Sequence, residues 1–432
     1  MNTDSVIHDY IEFQKHCLSP FHVVQTTKKS LQKKGFQELT LTKEWHLDAG
    51  KKYFVTHSSG KSLIAFHVGS KPASESGFSI IGSHSDSPVL HLKMNPHGLL
   101  HGYQILYSEP HGSLIYRSWL DRPLIVAGKV YRYKRDKNHK PLFHQDGHPM
   151  IESELVQSSV PLAVIPDLAI HLDREKNNLG MINPETMLYA LTGCDNKKDA
   201  QLALQTSLNC EAFDGFDLNF APYWPHCRVG SNLEFISGPR HDDLVMVFTS
   251  LKAFELASEK DKGPKTNVLC VFDSEETGSQ TAGGASSFFI DDVLTRICKG
   301  EKGQAYAQSF LISADVAHGL HPSFRDKHDL NHKPLLNGGL VLKSNANDKY
   351  TTQGHGVSFM KALSAKAESP IQTFCARSDL GCGSTIGPIL STKIGCPSVD
   401  VGIAMLAMHS SCETVGALDL LPSIRIFECF YV

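Results

Sequence analysis

The chain has almost no charge imbalance: 42 Lys plus Arg face 45 Asp plus Glu, a formal net charge of -3 over 432 residues. That removes the electrostatic case for nucleic acid or an anionic membrane surface as a partner. Long apolar runs are also missing. Leu244-Val245-Met246-Val247-Phe248 is among the longest, far short of the roughly 20 residues a helix needs to span a bilayer. The opening residues Met1-Asn2-Thr3-Asp4-Ser5 lack the basic region and apolar core of a secretory signal. Eleven cysteines, an odd count, are scattered from Cys17 to Cys429 without a Cys-x-x-Cys pair. A disulfide framework and a thiolate zinc site are both disfavoured, and reduced thiols in a cytoplasmic protein are the expectation. The chain shows no internal repeat and no low-complexity tract.

What is present is ordinary globular material, 41% hydrophobic and 20% charged, in a length that one core seldom covers. An amphipathic start, with Ser5 as the expected cap, gives way after Ser19-Pro20 to a second helix from about Phe21 that Gly35 stops. Its lysines Lys28, Lys29, Lys33 and Lys34 read as a solvated face. From about residue 53 short β-type runs take over, and residues 96–228 are rich in turns and short strands. After Gly230 helical and buried-strand patterns alternate. Asp242 to Ala257 and Ser286 to Cys298 read as helices; Asn267–Phe272, Ser309–Ala314 and Val399–Ile403 read as strands. Such alternation predicts an α/β sheet covered on both faces. The expected organisation is a catalytic α/β domain of mixed sheet from residues 1–95 plus 229–432, with a β-rich domain, 96–228, inserted between.

Histidine is abundant, at 23, so only its surroundings promote any one of them. In Gly82-Ser83-His84-Ser85-Asp86, residues two apart on an extended chain face the same side. Asp86 is thus placed to hold one imidazole nitrogen of His84 while the other meets a metal. Alone, that fragment reads more readily as a hydrogen-bonded strand-end histidine. The buried run Asn267–Phe272 ends in Asp273-Ser274-Glu275-Glu276, where open α/β sheets place their sites. Adjacent glutamates cannot face one point, so one is expected to bind metal and the other to act as base. Phe310–Ala314 ends likewise in Asp315. Asp242 and Asp243 open a helical run, where plain N-capping explains an aspartate equally well. His409 follows the apolar Ala407-Met408. Nitrogen and oxygen donors without thiolate suit Zn, Mn or Co in a hydrolytic site. Two divalent cations against Asp242, Asp315, Glu276 and neutral His84 and His409 leave a net positive site that holds hydroxide and polarises a carbonyl.

These residues lie within stretches that make the chain resemble the aspartyl aminopeptidase family of two-metal metallopeptidases nearly end to end. The stretches include Ser19-Pro20-Phe21-His22, Gly82 to Pro88, Leu168-Ala169-Ile170-His171-Leu172, Glu275-Glu276-Thr277-Gly278-Ser279, Ile312-Ser313-Ala314-Asp315, Asp326-Lys327-His328, Thr385-Ile386-Gly387-Pro388 and Ala407-Met408-His409-Ser410. The resemblance implies that His84 and Asp315 bind one ion, Glu276 and His409 the other, and that Asp242 bridges them. It implies Asp86 as the residue orienting His84 and Glu275 as general base toward a water held between two divalent ions, most often zinc, with Mn or Co as alternatives. The β-rich insertion would dimerise, and dimers would build a tetrahedral dodecamer. His171 would reach into the neighbouring subunit's site, and Lys343 would contact the acidic side chain of the residue removed.

Two departures stand out. The family's usual Arg-Leu-Asp-Asn is Arg240-His241-Asp242-Asp243 here, so two aspartates compete for the bridge. Asn219-Phe220-Ala221-Pro222-Tyr223-Trp224-Pro225 replaces the usual Asp-Thr-Gln-Pro type of stretch, which bears on substrate preference. The implied function is hydrolysis of the N-terminal peptide bond, with preference for Asp or Glu. A neutral aminopeptidase or an N-acyl deacylase on the same scaffold is the alternative; a non-catalytic binding protein would have lost a ligand or Glu275.

Overall fold

Strands apolar at every position need cover on both sides, and the central strands here receive it. The computed structural model describes residues 1–175, 177, 180–194, 200–260 and 263–432, and by internal contact it forms two units. The first comprises Met1–Ser87, His226–Met408 and Cys412–Val432. Its nine-stranded sheet runs Gln37–Leu39, Lys52–Thr56, Leu63–His67, Thr266–Phe272, Phe78–His84, Phe310–Ala314, Ser398–Gly402, Leu340–Ser344, Ile371–Cys375. The four strands from Thr266–Phe272 to Ser398–Gly402 are mutually parallel, and antiparallel pairings flank them. The sheet is therefore mixed, within an α/β fold.

Side-chain alternation splits the core in two. Ile80, Val268, Cys270 and Leu311 pack with helices Phe289–Ile297 and Ile386–Ile394. Their sequence neighbours Ile81, Leu269, Val271 and Ile312 pack on the opposite face with Thr3–Lys15, His241–Ser258 and Leu420–Tyr431. The first helix buries Val6, Ile7, Tyr10 and Phe13, a stripe at helical spacing. Its cap corrects the expectation: the helix begins at Thr3, and Asn2, not Ser5, supplies the oxygen, accepting the Ser5 N–H at 2.8 Å. Asparagine caps at least as well as serine, and it stands where the helical stripe starts. The helix expected from Ser286 begins only at Phe289, where the Ser287 hydroxyl accepts the Phe289 N–H. A five-stranded sheet, Cys227–Val229, Phe235–Gly238, Glu413–Gly416, Ala404–Leu406 and Ala317–His318, completes this unit.

The second unit comprises Pro88–Pro225 with His409–Ser411. Its seven strands run Gly215–Pro222, Val89–Leu100, Tyr103–His111, Ala190–Gly193, Ala163–Val164, Pro123–Tyr133, Ile151–Gln157. Gly215–Pro222 also pairs along its length with Pro123–Tyr133, closing a ring and leaving Ile151–Gln157 outside it. Leu90, Leu106, Trp119, Val126 and Phe220 fill the interior, and closure removes the open edges a sheet of this size would otherwise expose.

Candidate metal centre

Three neighbouring parallel strands end together, and the chemistry gathers at their carboxyl ends. His84 closes Phe78–His84; Glu275 and Glu276 follow Thr266–Phe272; Asp315 follows Phe310–Ala314. The register sets Phe272 against His84. Asp242 and Asp243 come from the start of helix His241–Ser258, where neither has helical backbone angles and a cis peptide joins them. Ligand atoms of His84, Asp242, Asp243 and Asp315 lie within 4.8 Å of one another, as do those of His84, Glu275 and Glu276.

The imidazole of His84 is fixed from both ends. Nδ1 lies 3.0 Å from the Asp86 carbonyl oxygen, to which it donates, and 3.5 Å from the Asp86 carboxylate. The expected orientation of His84 by Asp86 therefore runs chiefly through the main chain. The carboxylate of Asp86 has another use: it accepts the N–H of Glu275 at 3.0 Å and of Glu276 at 3.2 Å. With the Nδ1 proton committed, Nε2 faces Asp242 Oδ1 at 3.3 Å. Two electron-rich atoms at that separation repel unless a proton or cation joins them.

The two aspartates separate by partner. Asp243 is fully buried, and its oxygens accept the backbone N–H groups of His84 at 3.2 Å and Val316 at 3.3 Å. Its role in the fold is to tie two strand ends together. Asp242 is held by its main chain instead: its N–H goes to Glu413 Oε2 at 3.0 Å and its carbonyl accepts Ser87 Oγ at 2.6 Å. Ser87 lies within the Gly82 to Pro88 stretch, whereas Glu413 belongs to no motif read from the sequence. Glu413 in particular is an isolated acid on a strand with no local pattern to promote it.

The electrostatics of the cluster are those of crowded acids. Burial, with Asp315 and Asp242 adding to it, raises Asp243 well above the usual range, against the pull of His84. Burial and then Asp242 raise Glu276. Burial pushes half-buried Glu275 up to about 8, with His84 opposing and Asp315 adding. Burial raises Asp315 too, offset by Lys343. Burial opposes charge on His84, but Asp243, Asp242 and Asp86 outweigh it and raise its pKa. This is a buried carboxylate set in want of positive charge, and the nearby ammonium of Lys343 supplies one unit. The donors fit divalent cations: oxygens and an imidazole, no thiolate, in a buried site.

Three further expected residues fall as follows. Lys343 is 2% exposed; its Nζ donates to the Val316 carbonyl at 3.0 Å and lies 3.6 Å from Asp315 Oδ1. His409 opens the three-residue segment that packs with the second unit, its Nδ1 2.8 Å from the Ser113 carbonyl. Donation from Nδ1 makes Nε2 the nitrogen with the lone pair. His171 is exposed in the second unit, among exposed Leu168, Ile170 and Leu172.

Known proteins carry the same pattern over the whole length. The family described as aminopeptidase I zinc metalloprotease (M18) matches residues 13–431. A probable M18 family aminopeptidase 2 of Stutzerimonas stutzeri (strain A1501) is 37% identical over 440 residues, spanning 99% of this chain and 98% of that protein. A chain of the cryo-EM structure of the Ape4 and Nbr1 complex superposes with a TM-score of 0.91 at 33% identity, covering 99% of this chain and 86% of that one. The S. cerevisiae mApe1 dodecamer shares the fold, with a TM-score of 0.84 at 24% identity over 100% of this chain and 97% of that one. A likeness of this length settles the family: the chain belongs to the M18 zinc metallopeptidases and is a metallo-aminopeptidase.

Proposed function

We propose that the enzyme removes an N-terminal residue, with preference for Asp or Glu, at a centre of two divalent ions. The observation that carries the two-ion reading is that His84 takes part in two groups of ligand atoms at metal-binding distance, one with Asp242, Asp243 and Asp315 and one with Glu275 and Glu276. His84 and Asp315 would hold one ion, Glu276 and His409 the other, and Asp242 both; zinc is the expected metal. Bound ions supply Lewis-acid polarisation of the scissile carbonyl and lower the pKa of the attacking water. Glu275 takes that water's proton and returns it to the leaving amine, its backbone held by the Asp86 carboxylate. His171, reaching in from a neighbouring copy, stabilises the oxyanion. Its exposure amid apolar side chains supports a role completed by association.

The acidic preference rests on the family likeness and on Lys343, whose ammonium sits beside the ligand Asp315. The insertion would serve as dimerisation domain, with dimers building a tetrahedral dodecamer. A cytoplasmic location is supported by eleven cysteines that are all free thiols among the described residues. No helix among the described residues is long and apolar enough to cross a membrane. The test is metal analysis of the active enzyme together with kcat/KM on Asp-, Glu-, Leu- and acyl-amino-acid substrates. Two ions per chain with faster Asp and Glu turnover supports the reading. One ion in fully active enzyme, or faster cleavage of Leu- or acyl-substrates, would overturn it.

A further inference from the structure

The backbone that carries Asp242 is one its local sequence does not favour. Arg240 sits in the left-handed region at φ 59°, and no side-chain cap supports the helix that follows. A residue with a Cβ holds such a conformation only where its surroundings impose it. Those surroundings come from the first helix and the turn that follows it. Gln14 Nε2 donates to the Arg240 carbonyl at 3.1 Å, and Arg240 Nε donates to the Cys17 carbonyl at 3.0 Å. Gln14 Nε2 also donates to the Tyr10 hydroxyl at 2.6 Å, leaving the phenol proton for His241 Nδ1, likewise at 2.6 Å. Tyr10, Gln14 and His241 are fully buried, so water does not compete for these bonds.

We propose that Tyr10 and Gln14 of the first helix are positioning residues for Asp242, fixing the Arg240–His241 turn and thereby the zinc affinity of the site. The inference rests on Asp242 being a metal ligand. Partners behind metal ligands typically change metal affinity by about 10- to 100-fold when lost, and that is the effect expected here.

The experiment measures zinc affinity by competition with a chromophoric chelator in the full-length enzyme, with thermal unfolding of each metal-free variant alongside. Tyr10→Phe should weaken zinc by roughly tenfold or more. His241→Leu should also weaken it, and the two together should do no more than Tyr10→Phe alone, because His241→Leu removes only a bond that Tyr10→Phe already removes. Asp9→Ala serves as control: it breaks the ion pair to Lys252, 3.1 Å, which also joins the first helix to the helix of Asp242, yet touches neither turn nor site. It should leave zinc affinity unchanged. Three results would overturn the positioning role. They are zinc binding by Tyr10→Phe within about twofold of wild type, independent and additive losses from Tyr10→Phe and His241→Leu, or an equal loss in Asp9→Ala. Asp242→Asn separates the premise from the inference. If it keeps its zinc affinity, the ligand reading falls and the positioning role with it; if it loses zinc while Tyr10→Phe does not, the positioning role alone falls.

Discussion

Glu275 and Glu276 are chemically identical and adjacent, so what distinguishes them is where the backbone turn points each one. The turn follows left-handed Ser274 and is clamped at both glutamate N–H groups by Asp86. Glu275→Gln keeps that clamp and the shape of the side chain while removing proton transfer. It should lower kcat by roughly 10²- to 10⁴-fold with metal content nearly intact; steady-state kinetics beside metal analysis decide, and activity within a few-fold of wild type would assign the base elsewhere. Beyond the Val316 carbonyl, Lys343 has two anions to serve, Asp315 and the proposed acidic substrate. Lys343→Leu should cut kcat/KM for Asp-substrates by roughly 30- to 10³-fold, from the loss of one member of a buried charge pair. Because its ammonium lies 3.6 Å from Asp315, some loss of zinc would lower all substrates alike. The informative quantity is therefore the Asp-to-Leu ratio of kcat/KM at saturating zinc, and an unchanged ratio removes Lys343 from substrate selection.

At the scale of elements, a strand end or helix start decides what an aspartate does. The family resemblance favours Asp242 over Asp243 as the bridge, but nothing in the local sequence separates them, since capping accounts for either. Once His241–Ser258 is set against the strand ends, Asp243 accepts the N–H groups of His84 and Val316, whereas Asp242 faces His84 Nε2. Asp242→Asn should strip zinc more severely than Asp243→Asn. Asp243→Asn keeps one carbonyl acceptor of two and should show itself more in the thermal stability of the metal-free protein. Zinc titration and thermal melts of both variants test the order; the reverse order would move the bridge to Asp243. The strands were legible because a run such as Val268–Phe272 is apolar at every step, which only a sheet covered on both faces accommodates. The start of the first helix was misplaced by three residues because serine and asparagine both cap, and the choice is made by which precedes the buried stripe.

At the scale of the molecule, the crowded acids make stability depend on pH. Burial raises Glu275 from 4.5 to about 8, so the folded metal-free chain keeps a proton that the unfolded chain releases within that window. A carboxyl raised by folding costs stability progressively as pH rises through the window. Glu275→Gln removes this group, so the metal-free variant should gain stability over metal-free wild type as pH climbs from 4.5 to about 8. Melting curves of both proteins across the window check this, and a constant offset between them would contradict it. Association is the second molecular property. If His171 serves a neighbouring copy, an inactive His171→Phe chain and an inactive Glu275→Gln chain should restore activity in mixed oligomers, since one complete site forms per mixed pair. Mixed oligomers that stay inactive would exclude a shared site.

The sequence by itself determined the α/β class, the ends of the central strands and the residue types gathered there, because apolar runs and the acids that close them are local patterns. It determined the family as well, since many short stretches recur in order along the chain. Only the tertiary structure decided which aspartate faces the imidazole, that Asp86 grips the glutamate turn by its carboxylate and His84 by its carbonyl, that Tyr10 and Gln14 hold the Arg240–His241 turn, and that Glu413 holds the Asp242 N–H. The reason is distance along the chain. Gln14 and Arg240 are 226 residues apart, and Asp242 and Glu413 are 171 apart. No periodicity within a helix or strand links such positions; they meet only when the sheet and its helices have packed.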